Sequence, residues 1–178
     1  MATTVRPFDF RQPTRLSGYD YRQPGAYFVT LCTYGRRNLF GRISSDEMVL
    51  SSLGKLVEME WKRIALSRKH VELDLFVVMP NHLHGVVVIE GSAMNTSHVA
   101  AAEGRTGAMQ AGSLGAIISQ FKAGVTRRAR YSPVFRDAKI WQRNYYDRIV
   151  RSEESLNQIR QYIMANPARW REDSLYVE

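Results

Sequence analysis

Hydrophobic positions along the chain recur with two different periods, and the order in which the periods alternate predicts a set of elements. Ala26 to Thr33 (AYFVTLCT) follows Pro24-Gly25 and is rich in aromatic and β-branched residues, which predicts a first strand. Tyr34-Gly35-Arg36-Arg37 then reads as a basic turn. From Ser52 to about Leu66 the spacing changes: Leu53, Leu56, Val57, Trp61 and Ile64 fall on one stripe of a helix. Val71 to Met79 and Leu83 to Ile89 are two Val-rich runs separated by Pro80-Asn81, the pattern of a hairpin whose strands are covered on both faces. Ser113 is placed to cap a second helix carrying Leu114, Ile117, Ile118, Phe121 and Val125 inward, with Arg127, Arg128 and Arg130 at its C-terminal end. Ile140 to Val150 (IWQRNYYDRIV) is read as a fourth strand, and Glu153 to about Asn166 as a final amphipathic helix.

The order is β-α-β-β-α-β-α with no repeat. It predicts an α+β fold: a ferredoxin-like, split β-α-β antiparallel sheet with an added C-terminal helix. Two stretches lack periodicity. Residues 1–24 are polar and proline-punctuated and read as an arm, and residues 91–112 read as a flexible loop within a single domain spanning 1–178.

Composition agrees with one globular domain. The chain has 178 residues, 44% hydrophobic and 24% charged, which excludes wholesale disorder. Its longest apolar runs are much too short to span a bilayer, and no apolar leader segment is visible near the start. Cys32 is the only cysteine, so no internal disulfide can form and a cytoplasmic location is expected.

Charge changes the picture more. There are 25 basic and 17 acidic residues, a net charge of +8, and such a chain attracts polyanions. Residues 1–42 hold 7 basic and 2 acidic residues, 43–104 hold 5 and 8, and 105–178 hold 13 and 7. The excess therefore sits in the outer thirds. Arg outnumbers Lys 20 to 5, which suits bidentate phosphate contacts. Arg36, Arg37, Arg127, Arg128, Arg130, Arg143 and Arg148 are candidates to track a phosphate backbone, and Tyr19, Tyr21 and Tyr34 are candidates to stack on unpaired bases. A merely basic, soluble surface is the plain alternative.

The sharpest local feature is His82-Leu83-His84. Side chains on a strand alternate faces, so the two imidazoles project together and form a ready chelate for a metal ion. Two histidines satisfied by hydrogen bonds are the alternative, and a metal site needs a third ligand. On the last helix, Tyr162 and Asn166 lie four residues apart, within the same arc of about 120° as Leu156, Ile159 and Ile163. Both must then face the interior. Asn166 precedes Pro167, which disfavours continued helix at that residue. Tyr145 and Tyr146 are set aside as nucleophiles, because neighbouring strand residues point to opposite faces and neither carries an amide four residues on along a helix. His70 and His98 are expected in surface or loop roles.

These residues together resemble a known family, the REP-associated tyrosine transposases of the HUH single-strand endonuclease and transposase group. The resemblance rests on PNHLHGVVVI at 80–89, WQRNYYDRIVR at 141–151 and YIMANPARW at 162–170, supported by GAYFVTLCTYGRRNLFG at 25–41. Leu83 is the middle residue of the HUH motif. The resemblance implies that His82, His84 and Asn166 ligate a divalent metal, Mg2+ or Mn2+, and that Tyr162 is the nucleophile. It implies cleavage and rejoining of single-stranded DNA folded into hairpins of a repetitive extragenic palindrome, through a covalent 5′-phosphotyrosine. A cytoplasmic, nucleoid-associated enzyme with no membrane partner follows, with monomer or homodimer left open. Two other readings remain: a non-catalytic module binding single-stranded or structured nucleic acid, and a hydrolytic metallonuclease in which water attacks.

Overall fold

The computed structural model describes Leu16 and residues 18–91 and 111–177. Most of the expected arm and of the expected 91–112 loop, with His98, therefore lies outside the described residues. The elements are β1 (Gly25–Cys32), β2 (Gly41–Ser44), β3 (Glu47–Leu50), α1 (Ser52–Ser67), β4 (Val71–Met79), β5 (His82–Ile89), α2 (Leu114–Ala129), β6 (Tyr146–Val150) and α3 (Glu153–Ala165). The hydroxyls of Ser51, Ser113 and Ser152 accept from backbone amides at the starts of the three helices, so each helix begins at a serine.

The main sheet has the order β4-β5-β1-β6 with every neighbour antiparallel. This is the expected split β-α-β arrangement with a third helix added. Strand alternation divides the two central strands between two apolar clusters. Tyr27, Val29 and Leu31 of β1, with Leu83, Val87 and Ile89 of β5, join the large core that α1 and α2 cover. Phe28 and Val86 point the other way, into a smaller cluster closed by Ile159 and Ile163 of α3. His82 and His84 share the parity of Val86. They consequently lie on the α3 face.

Two parts of the chain depart from the pattern. Only Tyr146–Val150 of the expected 140–150 strand is extended in the sheet. Ile140 and Trp141 instead plug one end of the large core, Trp141 packing on Phe40 and Phe121, and only an isolated bridge joins Thr33 to Trp141. The Lys122 ammonium then donates to the carbonyls of Gln142 and Asn144 at 2.9 and 3.0 Å, holding that segment off the ladder. The β2–β3 hairpin is an addition the pattern did not reveal. Its turn, Ser45-Asp46, places both residues at positive φ (51° and 64°) without a glycine, so the usual hairpin signal is missing.

Gly85 marks the tightest approach of helix to sheet. A Cβ there would lie 2.5 Å from Cζ2 of Trp61 and 3.2 Å from Cβ of Phe76, neither of which has room to yield in a filled core. Gly85→Ala should therefore cost about 1–3 kcal/mol by overpacking. Urea denaturation of both proteins checks this, and an unchanged midpoint would contradict it.

Candidate functional site

β5 begins at His82 because the chain turns sharply at Pro80-Asn81 and re-enters the sheet beside β1, with Cys32 opposite His82 and Thr30 opposite His84. Both imidazoles are fully buried. Buried rings need partners, and the partners found fix their orientation. The Asn81 side-chain amide donates from Nδ2 to the carbonyls of Arg36 (3.1 Å) and Leu175 (2.8 Å). Its Oδ1 is therefore the atom facing His82 Nδ1, 2.8 Å away, and because an amide oxygen only accepts, Nδ1 must carry the proton. The Nε2 of His82 is then a bare lone pair, buried and with no hydrogen-bond partner among the described residues. That is the state a metal-ligating imidazole requires.

The His84 ring is held by the Thr30 hydroxyl, 2.8 Å from its Nδ1, and stacks on Phe28. Its Nε2 lies 3.2 Å from the Tyr162 hydroxyl. The third member of the cluster is Asp173, whose Oδ2 is 4.0 Å from Nε2 of both His82 and His84 and 3.4 Å from the Tyr162 hydroxyl. Asn166 donates from Nδ2 to the same oxygen at 3.1 Å, while its own Oδ1 is buried with no hydrogen-bond partner among the described residues. The ligand atoms of His82, His84 and Asp173 all lie within 4.8 Å of one another. Two neutral imidazoles, a carboxylate and an unsatisfied amide oxygen form a donor set suited to a divalent cation.

The electrostatics follow from burial. Loss of water pushes both imidazoles below their ordinary range, His82 furthest because His84 sits beside it, so both are neutral at pH 7. Burial would raise the Asp173 carboxyl, yet in acid, where the His84 and His82 rings can take up protons beside it, those rings and the Leu175 amide, 2.7 Å from Oδ1, hold it well below the usual carboxylate range. The Tyr162 hydroxyl is raised above its ordinary value by burial and by the Asp173 charge. It is a neutral phenol with two acceptors in reach.

Asp173 was not among the expected ligands. It follows α3 in a turn that Trp170 and Leu175 anchor by burying their side chains, Trp170 beside the His82 ring. Two apolar residues bracketing the acids Glu172 and Asp173 were the signal available in the sequence. Asn166, in contrast, lies where expected, although it keeps helical dihedrals (φ −59°, ψ −43°) despite Pro167, its side chain being tied to Asp173. Among the other expected residues, Arg128 is turned inward to an ion pair with Glu60 between α1 and α2. Arg36 donates to the Ser174 carbonyl and Arg37 to the carbonyls of Tyr34 and Lys139. Arg127, Arg130, Arg143 and Arg148 are exposed, and Tyr34 is 45% exposed. Tyr19 and Tyr21 do not stand free for stacking, since they pack with Tyr27. Tyr146 lies opposite Thr30, on the same face of the sheet as His84, whereas Tyr145 packs against the large core.

No family model matches the chain. An uncharacterized protein of Haemophilus influenzae is 40% identical over 171 residues, which is 94% of each chain, and the two belong to one family. Among solved structures, a REP-associated tyrosine transposase bound to a REP hairpin superposes with a TM-score of 0.59 at 16% identity, covering 89% of this chain and 74% of the other. The fold is thus that of the REP-associated tyrosine transposases, as the motifs implied. No helix among the described residues is long and apolar enough to cross a membrane.

The helix that carries Tyr162 is held to the sheet by the small apolar cluster and by Arg160, whose Nε and Nη2 clasp the Asp74 carboxylate at 2.6–3.2 Å. Those hydrogen bonds keep the Asp74 carboxyl below its ordinary 3.8. A depressed folded-state value adds stability above 3.8, and that increment is lost as pH falls through the lower folded value. Asp74→Asn should cost about 1 kcal/mol at pH 7, the pair being partly exposed, and the two proteins should converge in acid. Denaturation midpoints between pH 7 and pH 2 check this. A gap that stays constant across the range would contradict it.

Proposed function

We propose that the protein is a metal-dependent tyrosine endonuclease and strand transferase acting on single-stranded DNA that folds into hairpins. The observation that carries this reading is the position of the Tyr162 hydroxyl, 3.2 Å from His84 Nε2 and 3.4 Å from Asp173, at the edge of a buried two-histidine, one-carboxylate cluster. The shared fold with a transposase bound to a REP hairpin supports the substrate class, and the net charge of +8 supports a polyanionic partner.

His82, His84 and Asp173, with the Asn166 amide oxygen, would hold Mg2+ or Mn2+. Such a cation polarises a phosphate oxygen as a Lewis acid. The remaining roles belong to the chain. The Tyr162 oxygen attacks the scissile phosphorus in line, a P–O bond to tyrosine forms and the P–O3′ bond breaks. The phenolic proton passes to solvent water and the departing 3′-oxygen takes one up from water, so no net proton is gained or lost. A 5′-phosphotyrosine and a free 3′-OH result, and attack by the 3′-OH of another strand reverses the step without an external energy source. Asp173, ionised well below neutral pH, is a weak base. Its part is to orient the hydroxyl and hold negative charge beside the metal. Because both histidines are fully buried, with Trp170 packed on the His82 ring and Tyr162 on the His84 ring, access of the scissile phosphate requires one of these covers to move.

Tyr162→Phe removes one oxygen and leaves the packing on Phe28 in place. Folding and hairpin binding should persist while cleavage falls at least about a thousandfold and the denaturation-resistant DNA adduct disappears. Labelled oligonucleotide on denaturing gels reads both, with Tyr146→Phe as the comparison because Tyr146 shares the face of His84. Wild-type cleavage by Tyr162→Phe would mean that water or another tyrosine attacks, and no cleavage by the wild type at any divalent metal would leave a binding module.

Asn81 fixes the tautomer of His82 without touching the cation. Asn81→Ala should lower Mn2+ affinity by about 10–100-fold, the range typical of lost outer-shell partners. Calorimetric titration measures it, and an unchanged affinity would show that the His82 tautomer is set by something else.

A further inference from the structure

Away from the histidines, the C-terminal end of α2 and the turn that follows it enclose an open cavity of about 450 Å³ lined by Thr126, Arg130, Arg136, Asp137, Ala138 and Lys139. This is within the range of about 300–1,000 Å³ usual for ligand sites. Three cationic residues line it against one carboxylate. Neither Arg130, Arg136 nor Lys139 makes an ion pair among the described residues, in contrast to Arg128 and Arg160, which are paired within the fold. Three like charges with a single carboxylate among them leave a net positive excess, and an anion in the cavity relieves their repulsion.

The surroundings narrow the anion to a nucleic-acid strand. The Lys139 ammonium lies 3.9 Å from the ring centroid of Tyr34, a half-exposed side chain. Tyr131 is 85% exposed and Val134 78%, both on the turn that supplies Arg136 and Lys139. Exposed rings interleaved with cations engage unpaired bases and their phosphates together, which a free phosphate would not use. The basin is also joined to the site. Arg37 donates to the Lys139 carbonyl, Tyr34 N–H donates to the Ile140 carbonyl, and the next residue of that turn, Arg36, offers its carbonyl to Asn81 and its guanidinium to Ser174, the neighbour of Asp173.

We propose that this basin binds the phosphates of an unpaired DNA segment flanking the hairpin, with Tyr34 and Tyr131 against its bases, so that the strand continues over the Tyr34–Arg37 turn towards Tyr162. The assignment rests on the DNA-processing reading above and adds the place where the unpaired flank is held. Asp137 limits the occupant, because its carboxylate disfavours a densely charged anion such as free phosphate and tolerates spaced phosphodiesters.

The experiment measures binding of two oligonucleotides, a hairpin with unpaired extensions at both ends and the same hairpin without them, by wild type, by the combined variant Arg130→Ala, Arg136→Ala, Lys139→Ala, and by Tyr34→Ala. Thermal melts establish that each variant folds. For the extended hairpin the combined variant should lose about tenfold or more in affinity, and its salt slope should shrink by about 2, from ~0.7 per single-strand phosphate contact. Tyr34→Ala should weaken the same complex without changing the slope, and the bare hairpin should bind all three proteins alike. Equal affinity of wild type and combined variant for the extended hairpin overturns the proposal, as does an equal loss on both oligonucleotides, which would assign the basin to the duplex. Displacement of the extended hairpin by millimolar inorganic phosphate at constant ionic strength would also overturn it in favour of a small-anion pocket. Wild type that binds neither oligonucleotide defeats the DNA reading itself, whereas wild type that binds but forms no adduct defeats only the role of Tyr162.

Discussion

The side chain of Asn81 is the joint on which the site depends. One carboxamide ties three segments distant in sequence: the Tyr34–Arg37 turn through the Arg36 carbonyl, the C-terminal segment through the Leu175 carbonyl, and His82 through Nδ1. Each bond constrains the others, because donation to two carbonyls leaves only the amide oxygen for the ring, and the ring must answer with a proton. The consequence is chemical. A histidine buried in a sheet would ordinarily satisfy both nitrogens, and here one is left bare, facing the same space as His84 Nε2 and Asp173. A buried unsatisfied nitrogen costs about 1–3 kcal/mol, a cost that the binding of a cation removes.

The two faces of the sheet divide stability and chemistry between them. The large core between the sheet and α1 and α2 holds most of the aromatic mass, including Trp61, Phe121 and Trp141. It secures the central strands, and thereby the spacing of His82 and His84. Among the described residues, the apolar cluster on the α3 face has four buried members, and the polar cluster continues directly from them, Phe28 touching both the His84 and Tyr162 rings. α3 is thus held by a small apolar seam, the Arg160–Asp74 pair and the site itself. The site lies between a central strand and this helix, which sets the Tyr162 hydroxyl against the His84 ring.

Much of this was legible in the sequence because it depends on local period. The alternation through LFVVM and HLHGVVVI put both histidines on one face, and the 3.6-residue spacing of Leu156, Ile159 and Ile163 turned Tyr162 and Asn166 inward. What escaped has tertiary causes. Asp173 lies in a short irregular segment whose placement depends on Trp170 and Leu175 finding a surface, and no period announces that. The 140–145 stretch has strand composition, but Trp141 is worth more in the core than in a ladder, and Lys122 captures the carbonyls that follow. The Ser45-Asp46 turn lacks glycine, so its hairpin was invisible. Arg128 reads like its neighbours Arg127 and Arg130, and only the packing of α1 on α2, where Glu60 waits opposite Gly124, turns it inward. The Asn81 joint reads in sequence as nothing more than a turn residue after proline.

The central claim is that Nε2 of His82, Nε2 of His84 and the Asp173 carboxylate form one cation site beside Tyr162. Pulsed electron paramagnetic resonance of bound Mn2+ tests it most directly, since a coordinated imidazole nitrogen imposes its own modulation on the electron signal. Two coordinated imidazoles are expected in the wild type, one in His82→Ala and one in His84→Ala, with both retained but the cation held more weakly in Asp173→Asn. Mn2+ bound with no imidazole modulation, or with a signal unchanged by both histidine substitutions, would contradict the account.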